Sequence, residues 1–398
     1  MIEPETANTE AAERRESPTT LKQLALLFFK LGVVSFGGPA AHIAMMEGEV
    51  VRRRRWLSRD EFLDLLGATN LIPGPNSTEM AIHIGRRRAG WPGLLVAGSC
   101  FILPAALIVT ALAWAYVRYG SLPQTDALLY GVKPVVIAII LQALWRLGRA
   151  ALKTKSLALV GAAGILLNFL GVHELVILFG AGIATGIGSM VAGRMRRGES
   201  LSLIPAAFLF RTTALAAPAT SSFGLWPLFF FFLKVGSVLF GSGYVLLAFL
   251  QADLVERWRW LTEPQLLDAL TAGQVTPGPV FTTATFIGYV LGGLPGAIVA
   301  TMGIFLPAFF FVAVSGPLLP RIRRSATAGA VLDGVNAASM SLMAVVTWRL
   351  GRAALVDWTT VAMLVVSLIL LIRFRINSAW LVPVGALFGI LSFAWNKI

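Results

Sequence analysis

Residues 70–79 read NLIPGPNSTE, and residues 274–280 read QVTPGPV. The Pro-Gly-Pro at 73–75 thus returns 204 positions later at 277–279, and its surroundings return with it. At that offset Lys30 matches Lys234, Gly32 matches Gly236, and Phe36-Gly37 matches Phe240-Gly241. Trp56-Leu57 matches Trp260-Leu261, and Asp64 matches Asp268. Further on the offset is 203: Ile84-Gly85 matches Ile287-Gly288, Pro92-Gly93 matches Pro295-Gly296, and Pro104-Ala105 matches Pro307-Ala308. WRLGRAAL occurs letter for letter at 145–152 and 348–355. Shared apolar composition does not align Pro-Gly-Pro, Trp-Leu and Lys together, so the chain carries two copies of one unit. The sequence divides into a polar tail over 1–20, read as disordered, a first repeat over 21–199, a linker over 200–224 and a second repeat over 225–398.

Composition says where such a unit lives. Of 398 residues, 57% are apolar and 13% charged, against about 25% charged in soluble domains. The mean hydropathy is +0.76. A soluble fold of this size could not cover its surface with so few charges. A cytosolic enzyme, a disordered chain and a disulfide-stapled secreted domain are excluded, which leaves an all-α polytopic membrane protein. The net charge of +13 lies in short Lys/Arg runs between apolar segments. That is the pattern of cytoplasmic loops, and no nucleic-acid partner is read from it. Cys100 is the single cysteine, and His42, His83 and His173 are scattered. Neither an intrachain disulfide nor a metal site follows from them. The glycines of Gly292-Gly293-Leu294-Pro295-Gly296 sit in an apolar segment with no strand before it, so no nucleotide cofactor is implied. The acidic N-terminal stretch lacks the basic-then-apolar pattern of a signal peptide.

A spanning helix needs about 20 apolar residues. The first repeat offers 22–46, 91–117, 123–145, 155–171 and 173–193, and the second offers 226–250, 293–319, 327–348, 357–373 and 377–396. Between the first and second spans of each repeat lies something shorter. In the first, an amphipathic stretch at 59–72 runs into Pro73-Gly74-Pro75 and resumes at 76–85. In the second, 262–276 runs into Pro277-Gly278-Pro279 and resumes at 280–291. Arms of about 12 residues reach roughly 18 Å as helix, short of roughly 30 Å of hydrocarbon. Arg52 to Arg55 precede the first arm pair and Arg86 to Arg88 follow it. A hairpin that enters and leaves on one side keeps both runs on that side. Five crossings and a hairpin per repeat make the second repeat inverted, provided 200–224 does not cross, with the N-terminus outside.

Inverted repeats with broken helices are the construction of many secondary transporters, whose site lies where the repeats meet. A helix that starts inside the membrane has unpaired N–H groups in its first turn and a partial positive dipole end, which an anion can satisfy. Pro-Gly-Pro makes such a start, since proline ends one arm, glycine permits the turn and the second proline fits a first helical turn. Asn76, Ser77 and Thr78 follow in the first repeat, Thr282 and Thr283 in the second. Their side chains can cap amides or donate to ligand oxygens. Two tips arriving from opposite faces would converge on one small oxyanion.

FGGPAAH at 36–42 with NLIPGPNSTE at 70–79, repeated as FGSGY at 240–244 with QVTPGPV at 274–280, resembles the chromate ion transporter family in its two-domain form. The resemblance covers nearly the whole chain after residue 20. It implies a bacterial inner-membrane protein that exports chromate and gives chromate resistance, with antiparallel halves, chromate as substrate and sulfate, an isosteric dianion, as competitor. The copies differ at Gly38-Pro39 against Ser242-Gly243 and at Glu79 against Thr283, which argues against a strictly two-fold site.

The candidate substrate-binding residues are therefore Lys30, Gly37, Gly38, Asn76, Ser77, Thr78, Lys234, Gly241, Ser242, Thr282 and Thr283. Lys30 and Lys234 are matched cations within apolar segments, read equally as anion attractors and as snorkelling side chains. Glu79 is read first as a cap of its own helix and second as a carrier of a coupling proton. His42 is read as facing a loop with Glu47. Arg52 to Arg55 set topology, Gly37 and Gly241 mark helix breaks or close packing, and WRLGRAAL is an interfacial anchor with Trp145 and Trp348. Three function classes remain: a carrier, an anion channel built from the same half-helices, and a membrane-embedded enzyme acting on a phosphorylated lipid. The last lacks clustered acid–base or metal-binding groups, and the spans hold almost no carboxylates. A homodimer is compatible with all three.

Overall fold

A computed structural model describes residues 19–36, 38–120, 122–196, 223–240, 246–315, 325–374 and 376–395. The tail over 1–18, nearly all of the linker, and Gly37, Gly241 and Ser242 lie outside the described residues. In the first repeat α1 is Leu21–Val34 and α2 is Gly38–Glu47, which continues as a π-helical turn over Gly48–Arg53. They are followed by α3 (Arg59–Thr69), α4 (Asn76–Tyr119), α5 (Pro123–Ala151), α6 (Lys155–Phe169) and α7 (Glu174–Arg196). The second repeat returns the order. It comprises α8 (Leu225–Val238), α9 (Leu246–Phe249) running into a π turn over Leu250–Arg257, and α10 (Glu263–Val275). A short 3-10 turn over Val280–Thr282 leads into α11 (Thr283–Ser315), followed by α12 (Ala326–Ala354), α13 (Trp358–Ile372) and α14 (Ser378–Trp395).

Among the described residues α4, α5, α7, α11 with its 3-10 turn, α12 and α14 are long and apolar enough to cross a membrane, while α6, α8 and α13 are shorter apolar helices. The expected continuous spans at 22–46 and 226–250 are each broken. Thr20 opens α1 with a capping box that includes Gln23, and Ser35 closes it in extended conformation. Gly38 then takes φ +78°, a region that suits glycine, before α2 begins. Each first crossing is therefore two half-helices, and the break sits beside the Phe-Gly motif.

The re-entrant hairpins form where the Pro-Gly-Pro spacing places them. Ser58 and Glu61 make a capping box at the start of α3, and Thr262 and Gln265 make the matched one at the start of α10. Helix α4 is interrupted at Ala89 and Gly90, α11 at Gly292 and Gly293. The first arm of α4 lies back against its second arm, with Gly85 facing the Gly93 carbonyl and Ala97. Gly288 faces the Gly296 carbonyl and Ala300 in the same way. Arg87 at the end of that arm pairs with Glu61 at 3.2 Å, so both ends of hairpin one share a level, with the tip at 73–75 at the other end.

The two repeats run in opposite directions. Arg86, at the base of hairpin one, donates to the carbonyls of Val312 and Ala313 near the far end of α11. Tyr116, near the far end of α4, stacks on Phe286 of hairpin two. The repeats also exchange their last helices. Gly131 of α5 abuts Gly385 and Gly389 of α14, and Gly334 of α12 abuts Ala181 and Thr185 of α7. The Ser341 hydroxyl of α12 donates to the Gly161 carbonyl of α6 at 2.6 Å. Tyr130 of α5 donates to Asp357, the cap of α13, at 2.6 Å, and this hydrogen bond helps hold the Asp357 carboxyl below the usual carboxylate range. The sequence repeats are thus not separately packed bodies. In a setting where lipid is as apolar as leucine, close backbone approach at small residues supplies the packing.

A paired substitution tests this seam. A Cβ at Gly131 would lie inside the van der Waals envelope of the Gly385 backbone, whereas a Cβ at Gly148 meets nothing within 4 Å. Gly131→Ala is expected to destabilise by about 1–3 kcal/mol, and Gly148→Ala to be neutral or stabilising by up to about 1 kcal/mol. Thermal melting in detergent should lower the midpoint for the first alone.

Candidate site at the re-entrant tips

Each tip is held by the other repeat. The Gly74 N–H donates to the Leu239 carbonyl at 2.7 Å, and the Gly278 N–H donates to the Ser35 carbonyl at 2.8 Å. Leu239 and Ser35 are matched residues that close α8 and α1, where carbonyls lack helical donors. Gly74 adopts φ +139° and Gly278 φ +88°. A Cβ at Gly278 would stand 2.6 Å from the Ala105 Cβ and 3.2 Å from the Gly32 carbonyl oxygen; one at Gly74 would stand 3.7 Å from the Ala308 Cβ. The tips therefore flank the crossing of α4 and α11, where Phe309 covers Gly98.

The tip amides are less open than the sequence suggests. Besides the two glycines, Thr78 and Glu79 donate to the Pro75 carbonyl, and Thr282 donates to the Pro279 carbonyl. Asn76 and Ser77 remain, as the first two residues of α4, in positions with no intrahelical acceptor.

The side chains divide the repeats more sharply. Asn76, Ser77, Thr78, Glu79 and His83 of hairpin one are matched by Val280, Phe281, Thr282, Thr283 and Phe286 of hairpin two. Thr282 and Thr283 donate their hydroxyls to the Pro279 and Val280 carbonyls at 2.8 Å each. In hairpin one, by contrast, Thr78 Oγ1, both Glu79 oxygens, Asn76 Oδ1 and His83 Nε2 are buried with no hydrogen-bond partner. Glu79 is fully enclosed and its carboxylate curls back against the Gly74 backbone. It does not cap its own helix, as the first reading of the sequence had it. Ser35 Oγ, at the break that meets tip two, is likewise unpartnered. A buried polar group without a partner is costly, and hairpin one concentrates such groups in its first turns after the tip.

Other expected residues lie elsewhere. Lys30 is paired with Glu49 at 3.0 Å, and Lys234 with Asp253. Arg53 and Arg257 join the same carboxylates from one helical turn away. This Lys–acid–Arg triad recurs in both repeats and ties the first half-helix to the π turn, so both lysines are paired, each sharing its one carboxylate with arginine. His42 is buried instead of loop-facing; its Nε2 lies 3.1 Å from the Ser35 carbonyl, and Glu47 pairs with Arg52 instead. Arg54 packs its guanidinium over Trp56, and Arg149 packs over Trp145. Carboxylates are also less scarce inside than composition implies, because Glu79, Asp253 and Asp268 are all buried. Asp268 forms an ion pair with Lys133 at 2.9 Å and accepts from the Tyr116 hydroxyl at 2.9 Å. Lys133 is a residue that sequence reasoning passed over; a lone lysine at mid-helix in an apolar span was the available signal. Among the described residues no group of three or more His, Cys, Asp or Glu could hold a metal.

The family model for the chromate transporter matches residues 22–187 and again residues 226–390. A chromate transport protein of Cupriavidus metallidurans is 32% identical over 99% of both chains. One from Pseudomonas aeruginosa is 32% identical over 88% of this chain and 85% of its own. An uncharacterised transporter of Bacillus subtilis, YwrA, is 29% identical over 41% of this chain but 94% of its own length, so the unit also occurs as a single copy. No solved structure matches. Matched in both repeats, and end to end by a relative of that identity, the chain belongs to the chromate transporter family.

Proposed function

We propose that this protein is a secondary transporter, not an enzyme, that exports chromate across a bacterial inner membrane and so confers chromate resistance. The observation that carries the reading is the reciprocal anchoring of the two tips, which sets the unpartnered polar groups of Asn76, Thr78 and Glu79 at the seam between oppositely directed repeats. Backbone amides of Asn76 and Ser77, the Thr78 hydroxyl and the helix dipole of α4 suit a small oxyanion. Gly37, Gly38, Gly241 and Ser242 are proposed to complete the site from the two broken helices, and Pro73, Pro75, Pro277 and Pro279 to fix the tips. Thr282 and Thr283 contribute acceptor and shape more than donors. Lys30 and Lys234, paired as they are, are proposed to act on the approach of the anion and not at the seam.

Alternating access is the proposed cycle, in which the reciprocal tip hydrogen bonds break and re-form in turn; interleaving of the two repeats keeps backbone away from lipid throughout. A cytoplasm at negative potential favours expulsion of a dianion by about 4.6 kcal/mol per 100 mV. Glu79 is the proposed partner in proton exchange: ionised it would repel a dianion, protonated it can donate a hydrogen bond to one. Chromate entry into everted vesicles is expected to be saturable and inhibited by sulfate. Cells carrying Pro75→Ala or Pro279→Ala are expected to lose growth on chromate. Purified protein that moves no oxyanion in liposomes under any gradient would overturn the reading.

A further inference from the structure

The buried triad of Lys133, Asp268 and Tyr116 lies away from the tips, on the side of hairpin two. Asp268 belongs to α10, nine residues before Pro277, and Tyr116 stacks on Phe286 of the neighbouring arm at 5.3 Å between ring centroids. Lys133 comes from α5 of the other repeat. Three elements from both repeats therefore meet at one carboxylate, which is 6% exposed, while the lysine keeps 20% of its side chain accessible.

The triad is not a repeated structural device. Asp64 matches Asp268, but Asn336 stands at the place matched to Lys133. The triads of Lys30 and Lys234, by contrast, recur in full, as packing elements of a duplicated fold should. A charged pair retained in one copy only, within the apolar spans, is a functional candidate by its cost alone.

We propose that Lys133 is a second anion-binding residue on the transport path, and that Asp268 is its resident counter-charge, displaced when a proton from the aqueous phase neutralises it. The inference rests on the oxyanion-transport reading above. The charge balance is simple. Asp268 takes up one proton and becomes a neutral acid, still held by Tyr116. The Lys133 ammonium, freed of its partner, donates to an oxygen of the divalent anion. On release of the anion the proton leaves and the pair re-forms. The titratable groups facing Asp268 are few. Besides Lys133 and Tyr116, Asp126 of α5 acts on it through space. Arg257 and Asp253 of the π turn are paired with each other, Glu256 there is paired with Arg349 of α12, and Asp333 of α12 is paired with Lys153. Tyr289 is the titratable residue of the α11 arm.

The test uses full-length protein in liposomes, with chromate and sulfate as probes, and compares wild type, Lys133→Gln, Asp268→Asn and the double variant. Lys133→Gln is expected to lose at least tenfold in flux, and Lys133→Arg to keep most of it. Asp268→Asn is expected to half-saturate at a several-fold lower chromate concentration and to lose its response to an imposed pH gradient. The double variant should stay as inactive as Lys133→Gln. A merely structural pair predicts the opposite, recovery of wild-type flux and pH response in the double variant, and that result overturns the proposal. Should Asp268→Asn fail to fold, chromate binding to purified wild type and Lys133→Gln at pH 5.5 and pH 8 decides: equal wild-type affinity at both overturns it, as does Lys133→Gln binding with unaltered affinity. A wild type inert toward every oxyanion instead defeats the transport reading itself.

Discussion

Glu79→Gln is expected to fold like wild type, to lose roughly tenfold or more in coupled chromate flux, and to leave a residual flux that no longer responds to pH. The substitution keeps shape and removes only the capacity to ionise. Nothing in the fold depends on the carboxylate as an acceptor, because neither oxygen has a partner and the first amides of α4 that do bond use the Pro75 carbonyl. A tenfold loss corresponds to about 1.4 kcal/mol in the barrier. Glu79→Thr is the sharper control. It installs the residue that the second repeat carries at the matched place, where the Thr283 hydroxyl is satisfied by a backbone carbonyl three residues earlier. A threonine at 79 has the Asn76 carbonyl available in the same way. The variant should therefore be at least as stable as wild type and still uncoupled. Flux measured against an imposed pH gradient, beside thermal melting of the same preparations, separates the two effects. Unchanged pH dependence in Glu79→Gln would remove Glu79 from the coupling step.

Much of the fold was legible because its signals are local and repeated. Pro-Gly-Pro cannot continue a helix, and arms of about 12 residues cannot cross a bilayer, so broken segments at 59–85 and 262–291 followed from spacing. The Arg runs at both ends of hairpin one placed its base, and Arg87 with Glu61 now shows the two ends side by side. What was not legible is what depends on contacts between distant residues. The exchange of last helices is written mainly in glycines at 131, 182, 334, 385 and 389, which a sequence shows as ordinary small residues of apolar helices. The break inside the first span was ambiguous, because Phe36-Gly37 suits close packing as well as a stop. At the site, residue type suggested Lys30 and Lys234 as anion ligands. Their partners Glu49 and Asp253 lie nineteen residues on, within the π turns, where no helical periodicity would bring them to mind. Asp268 was visible as a repeat match, but only the packing of α5 against α10 joins it to Lys133. Asymmetry between Glu79 and Thr283 could be read from the alignment, and the structure adds that polar atoms of Asn76, Thr78, Glu79 and His83 are buried without partners while the Thr282 and Thr283 hydroxyls are bonded.

Gly278→Ala is expected to abolish transport and to lower stability by about 2–5 kcal/mol, the larger part of it local to the tip. The glycine sits at φ +88°, where an L-residue costs about 1–2 kcal/mol. The added methyl would meet the Ala105 Cβ at 2.6 Å and the Gly32 carbonyl at 3.2 Å, both on helices that cannot yield separately; overpacking of this kind costs about 1–3 kcal/mol. Relief requires tip two to withdraw, and withdrawal breaks the Gly278 to Ser35 hydrogen bond. Ser35 is also the partner of His42, so the disturbance spreads to the break between α1 and α2 in the first repeat. Ala105→Gly supplies the means to tell this mechanism from general damage. Removing that methyl opens the space that the new one needs, leaving the φ penalty and the carbonyl contact. The double variant should regain part of the lost melting temperature and a measurable fraction of chromate flux, although Ala105→Gly alone weakens α4 by about 0.5–1 kcal/mol. Equal loss in the single and double variants would mean that tip two is not seated against α4 during transport, and the reciprocal anchoring would then be no part of the working cycle.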